Sequence, residues 1–424
     1  MPRGEQAVGL LLRSDEEHCL HRQSVYERMR SVTEGEAPVD NITHGLAGAL
    51  LAQAGFRQRY GRAATVALIV GAELPDLDFV FDFAGPIVGF QYHRGITHSF
   101  VGGCGLALLG AAFAYAVLRY RFYWRVVGLL YLGVLLHIWM DYLTSYGTQI
   151  FLPFDAGRYT ADAVFIIDYF YTGIIVVALL LIRLVRQQRH GRYRTASLIW
   201  LLIGVGLWVG TPWFVQPRLL FMALRGLGMH LLLFAGLMAL FTHIGGRWHA
   251  EHAVVVGRCG IGALAAYMAL CIANHAVVVQ RFASALKAQH AAVQQVSAIP
   301  LPGGPFTWRG IAETPTAYLV SHITLLPPAI AAPQMIAKAP HQAIVQATSD
   351  YRLVQIFRDF ARFPVVEYAQ QGEQQVVRYF DLRFTGYGRE RSWFDLEVRF
   401  DSAGQVQGIE FLNHLFPPHH PDFR

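Results

Sequence analysis

Apolar and polar positions are not spread evenly along this chain. From Val39 onward long apolar runs follow one another: Val39 to Phe56, Ala63 to Val80, Ser99 to Leu118, Phe122 to Met140, Ala163 to Val185, Thr195 to Val215, Leu219 to Ile244 and Val254 to Gln280. A helix needs about 20 mostly apolar residues to cross a bilayer, so the last six qualify and the first two, at 18 residues each, sit at the limit. The pattern predicts six to eight membrane helices. After residue 300 it changes: the Pro/Gly run Leu301 to Phe306 reads as a linker, and Val376 to Phe384, Ser392 to Phe400 and Gln405 to Leu412 alternate apolar with polar residues, the period of half-buried strands. The turn residues Asp401 to Gly404 predict a hairpin between the last two. The expected fold is mainly α, a polytopic helical membrane bundle followed by a small α+β domain outside the bilayer. Residues 1–38 are mixed in charge, lack the apolar core of a cleaved signal peptide, and read as a loose polar tail with Met29 as an alternative start.

Composition sharpens this picture. At 54% hydrophobic and 15% charged, the 424 residues exclude a disordered chain and argue against an ordinary soluble enzyme. The four cysteines, Cys19, Cys104, Cys259 and Cys271, have no paired spacing, so neither a disulfide framework nor a thiolate zinc site is suggested. The net charge of +6 matters through its placement. If every apolar segment crosses, Arg57, Arg59, Arg62, Arg119, Arg121, Arg125, the cluster Arg183 to Arg194, Arg247 and Arg258 all fall on one side. Arginine collects in short cytoplasmic loops, so that side is expected to be cytoplasmic. The opposite loops carry Arg94, Arg158 and Arg218, with the five arginines of the tail as the one conflict.

Ionisable groups at the ends of apolar segments are functional candidates, because burial near hydrocarbon costs several kcal/mol. His44 lies at the start of the first segment, Asp76 and Asp78 at the end of the second, His93, Arg94 and His98 before the third, and His137 and Asp141 at the end of the fourth. Alternating segments bring all of these to one face of the bundle. His137 and Asp141, four apart, stack on one helical face, and Pro75 turns Asp76 and Asp78 out of helix. Imidazole with carboxylate suits zinc, manganese or iron, and the set His44, Asp76, Asp78, His93, His98, His137 and Asp141 exceeds what one tetrahedral ion needs, so two or more divalent ions are expected. The isolated histidines His230, His243 and His275 read instead as packed side chains.

The stretches Ile42-Thr43-His44-Gly45-Leu46, Leu74-Pro75-Asp76-Leu77-Asp78, His93-Arg94-Gly95-Ile96-Thr97-His98-Ser99 and His137-Ile138-Trp139-Met140-Asp141 resemble the YdjM-type inner-membrane family of metal-dependent hydrolases. The likeness spans about residues 40 to 170, and the order of motifs is distantly similar to zinc-dependent phospholipase C. It implies a multi-pass protein of the bacterial inner membrane, and it adds Asp155, Arg158 and Asp168, in Leu152-Pro153-Phe154-Asp155 and Phe165-Ile166-Ile167-Asp168, as a stretch typical of longer members. Residues 195 to 282 match no motif of the core family.

The expected organisation is a polar tail (1–38), a metal-binding helical membrane core (39–190), further membrane helices (191–299) and an extramembrane α+β domain (300–424). The expected chemistry is hydrolysis by metal-activated water, with Arg94 or a second ion holding the developing oxyanion and Asp78 or Asp141 orienting the water. Spacing leaves ligand and base open among Asp76, Asp78 and Asp141. A site at the bilayer rim points to a lipid or lipid-linked phosphoester as substrate and to no nucleic acid; site and C-terminal domain are expected outside the cytoplasm. The alternative is a non-catalytic metal-binding or transport membrane protein, for which Arg225 and His230 are the candidates near the midplane.

Overall fold

The computed structural model describes residues 39–117, 119, 123–187, 202, 205, 252–288, 292–302, 304–339, 343–371, 374–385, 392, 394–402 and 404–413. The tail before residue 39, the segments 195–215 (save Leu202 and Val205) and 219–244, and with them Arg225, His230 and His243, lie outside the described residues. The chain divides into two compact units.

The larger unit comprises Pro38–Leu77 and Arg94–Lys338. Its helices are α1 (Val39–Leu51), α2 (Arg62–Glu73), α3 (Phe100–Ala116), α4 (Tyr123–Leu143), α5 (Tyr169–Gln187) and α6 (His252–Ala288), with α1 running on through a π turn at Ala52–Phe56. Among the described residues α4, α5 and α6 are long and apolar enough to cross a membrane. Helices in lipid gain little from burying apolar surface, so they associate through close fit at small residues. The contact of α2 with α4 is a close fit at small residues. A Cβ added at Gly71 would lie 2.2 Å from the Leu130 carbonyl oxygen, and one at Gly133 would lie 2.7 Å from that of Leu68. The two backbones are therefore almost in contact one turn below His137.

Helix α6 is 37 residues long, roughly 55 Å at 1.5 Å per residue and well beyond the ~30 Å apolar thickness of a bilayer. Its last turns leave the apolar stretch and become half of a second core: Val278, Phe282 and Leu286 pack with Ala298, Trp308, Ala312 and Ile323. Those residues belong to an antiparallel sheet of β1 (Gln295–Pro300), β2 (Thr307–Glu313), β3 (Ala317–Leu325), β4 (Pro328–Ile330) and β5 (Gln334–Ala337), in which β4 and β5 both pair with β3. The run 301–306, expected as a linker, closes the β1–β2 hairpin, whose register places Pro300 opposite Trp308.

The smaller unit comprises Asp78–His93 and Ala339–Arg424, with an N-terminal stretch outside the described residues. Helix α7 (Arg352–Phe360) packs with a four-stranded antiparallel sheet in the order β6 (Pro364–Gln371), β7 (Gln374–Asp381), β8 (Phe394–Phe400), β9 (Val406–Asn413). Strands β7 to β9 fall where the alternation predicted them. The hairpin turns as expected, with Gly404 in the left-handed region (φ 76°) and its N–H donating to the Asp401 carbonyl at 3.0 Å. The short helix Pro86–Tyr92 inserts the buried Phe90 among Phe357, Phe360, Phe394 and Phe411, at ring-centroid distances of 4.4 to 6.2 Å. Residues from between two candidate site motifs are thus part of the same core as the C-terminal strands. The chain is mostly helical with β-sheet in its C-terminal part, as the pattern predicted.

Candidate metal centre

Four local devices carry the site residues of the larger unit. His44 sits on α1, and His137 and Asp141 are one turn apart on α4. Asp76 follows the end of α2, in the 3-10 turn that Pro75 opens; proline keeps the residue before it from continuing the helix comfortably. His98 ends the 3-10 turn Ile96–His98, and Ser99 then caps α3, its hydroxyl oxygen accepting from the Gly102 N–H at 2.9 Å.

These elements bring Asp76, His98 and His137 together, with Asp141 beside the two histidines. His98 Nε2 and His137 Nε2 are 3.1 Å apart. Each faces both carboxylates: Asp76 Oδ1 lies 3.3 Å from His98 Nε2 and 3.4 Å from His137 Nε2, and Asp141 Oδ2 lies 3.3 Å from each. Ligands held 2.0 to 2.1 Å from one zinc ion in a tetrahedron stand about 3.3 Å from each other. His98, His137 and Asp141 are buried, and Asp76 is partly so.

The tautomer also fits a metal. A carbonyl can only accept, so His137 Nδ1, 2.6 Å from the Ala72 carbonyl oxygen, carries a hydrogen, and the lone pair of a neutral ring would then be the one on Nε2, facing the other donors. Among the described residues Asp141 Oδ2 accepts no hydrogen bond although it is buried. An ionised oxygen left so among lone pairs is costly, and a cation at their centre removes the cost. These residues can hold a metal ion.

A second group of possible ligands, His44, His137 and Asp141, adjoins the first. The His44 ring stacks on that of His137 at 3.8 Å between centroids, and its Nε2 lies 3.6 Å from Asp141 Oδ1. Arg94 takes the same oxygen: Nη2 is 2.8 Å from Asp141 Oδ1, and Nη1 donates to Thr144 Oγ1 at 2.8 Å. The Thr144 hydroxyl in turn donates to the Asp141 carbonyl at 2.8 Å, and the Tyr146 ring lies 4.8 Å beneath the guanidinium. Arg94 is turned onto Asp141. Asp78 and His93 belong to the smaller unit, where His93 Nδ1 lies 3.2 Å from Asp78 Oδ1.

Thr144, Tyr146 and the Ala72 carbonyl were not singled out from the sequence. Thr144 had a signal, since it stands three residues after Asp141 on the same face; a backbone carbonyl has none. Asp155, Arg158 and Asp168 have local roles. Asp168 Oδ1 accepts from the N–H groups of Phe170 and Tyr171 at the start of α5, and Oδ2 accepts from Tyr267 on α6 at 2.8 Å. Arg158 donates to the Gly147 carbonyl. Asp155 accepts from the Tyr159 hydroxyl and the Gly157 N–H, which hold its carboxyl below the usual range. A cleft of about 30 Å³, lined by His44, Asp141, Thr144, Asp168 and Thr172 among others, has room for one or two waters.

Fold and site together describe a mostly helical protein with helices long and apolar enough to cross a membrane and with His and Asp side chains at helix ends that can hold a metal ion. Residues 39–214 match the model of the family described as YdjM inner membrane protein, the family that the motifs resemble. The chain is also 30% identical over 97 residues to the uncharacterized protein YfhP of Bacillus subtilis (strain 168), a stretch covering 22% of this chain and 28% of that relative. No solved structure matches it. The family match and the apolar helices support a membrane location.

Proposed function

We propose that the protein is an integral membrane metal-dependent hydrolase, cleaving a phosphoester or other ester of a lipid or lipid-linked substrate, with zinc as the metal and manganese or iron as the other candidates. The observation that carries this reading is the meeting of His98 and His137 Nε2 with Asp76 and Asp141 at the separations of adjacent ligands. A divalent ion bound there supplies a Lewis acid and brings the pKa of its water to about 7. The protein's own part is to fix that centre. His137 is held by the Ala72 carbonyl, Asp141 is held in place by Arg94, and the cleft beside His44 and Asp141 has room for water. Because Arg94 spends its guanidinium on Asp141 and Thr144, its role here is to hold a ligand rather than to reach an oxyanion.

One observation favours the alternative, a metal-binding protein without turnover. Four protein donors are what a closed zinc centre uses, whereas catalytic zinc keeps a position for water and reaches five-coordination in passing. A screen of phosphoesters and lipid-linked phosphates with detergent-purified protein decides between them. Hydrolysis that stops with chelator and returns with a divalent ion is the expected result; metal retained with no substrate turned over supports binding alone. From the arginine distribution the centre and the C-terminal part face away from the cytoplasm of a bacterial inner membrane. A reporter that works only in the cytoplasm, fused after Arg424, is then silent, and full reporter activity reverses the orientation.

A further inference from the structure

We infer that the centre holds one ion, and that the Arg94 guanidinium stands where a second would bind. The inference rests on the metal reading above and changes its stoichiometry, since the number of His and Asp motifs alone suggests two or more ions. Asp141 divides its oxygens. Oδ2 faces the two imidazoles, whereas Oδ1 faces Arg94 Nη2 at 2.8 Å and His44 Nε2 at 3.6 Å. A carboxylate that bridges two ions gives one oxygen to each, and His44 is the neighbouring donor that a second ion at Oδ1 would recruit. That position already holds a permanent positive charge, because guanidinium does not deprotonate in proteins.

The guanidinium is also built in. Arg94 is 4% exposed, donates to Thr144 Oγ1 and lies over Tyr146. Its backbone is left-handed (φ 56°), a conformation that residues other than glycine seldom adopt, and its carbonyl is pinned by the Gln149 N–H at 3.0 Å. A dication beside this group meets like charge at close range in a dry site, where screening is weak. Arg94 is thus a positioning residue with two effects: it orients Asp141 toward the first ion and excludes the next.

Counting metal tests this directly. Full-length protein in detergent, stripped with chelator, equilibrated with excess zinc and desalted, should carry one zinc per chain. Arg94→Ala should carry close to two, Arg94→Ala with His44→Ala should return to one, and Arg94→Lys, which keeps the charge, should stay at one. Arg94→Gln serves in place of the alanine variant if that variant aggregates, with the same gain expected. Two zinc ions in the wild type, or no gain in either neutral variant, overturns the inference while leaving the metal centre standing. No zinc in the wild type removes the centre itself.

Discussion

Asp141→Ala is expected to empty the centre of metal and, in the metal-free protein, to cost roughly 3–5 kcal/mol of stability, the penalty for breaking a buried ion pair by removing one partner. Two losses combine. The substitution removes the oxygen that faces both imidazoles, and it strands the Arg94 guanidinium, buried at 4% exposure, without its carboxylate. His98→Ala separates the two effects, because it removes a donor yet leaves the Asp141–Arg94 pair intact. Metal analysis should find both variants depleted, whereas denaturation of the chelated proteins should find Asp141→Ala much the weaker. If chelated Asp141→Ala unfolds together with wild type, the ion pair does not have the structural weight assigned to it.

Gly133→Val is expected to weaken metal binding by about 10- to 100-fold, the usual cost of disturbing a partner that orients a ligand, although Gly133 ligates nothing. A side chain here meets the backbone of α2 around Leu68 and Gly71, so α4 must move away. His137 then loses the Ala72 carbonyl, which is within 2.6 Å only because the two helices nearly touch. Gly128→Val, on the same helix with open space around it, provides the comparison and should bind metal as wild type does. Equal affinity in both variants would separate helix packing from the centre.

Much of this arrangement was legible in the sequence because it depends on segment ends. Once apolar runs alternate across a bilayer, His44, Asp76, His98, His137 and Asp141 must approach one another, and the structure brings these five together. What segment order cannot reveal is where the intervening chain goes. Asp78 and His93 flank a stretch whose Phe90 is surrounded by aromatic residues more than 260 positions later, a contact without any local signal. Arginine was legible as a charge and not as a partner, since only the folded chain places Arg94 against Asp141 and Thr144. The strands divide in the same way. β8 and its neighbours are half-buried and alternate visibly, whereas Trp308, Arg309, Gly310, Ile311 and Ala312 of β2 are all buried, so its residues carry no period of two. Continuity of α6 into that sheet was hidden too, because the helix packs its last turns on Trp308 and Ile323 without losing its apolar character.

X-ray absorption at the zinc edge of purified wild-type protein addresses the centre most directly. The expected spectrum has nitrogen and oxygen neighbours at about 2.0 to 2.1 Å, with the outer-shell scattering of two imidazoles and no sulfur. Sulfur at about 2.3 Å would place the metal on cysteine instead, and a protein that binds no metal after loading would contradict the assignment of Asp76, His98, His137 and Asp141 as its ligands.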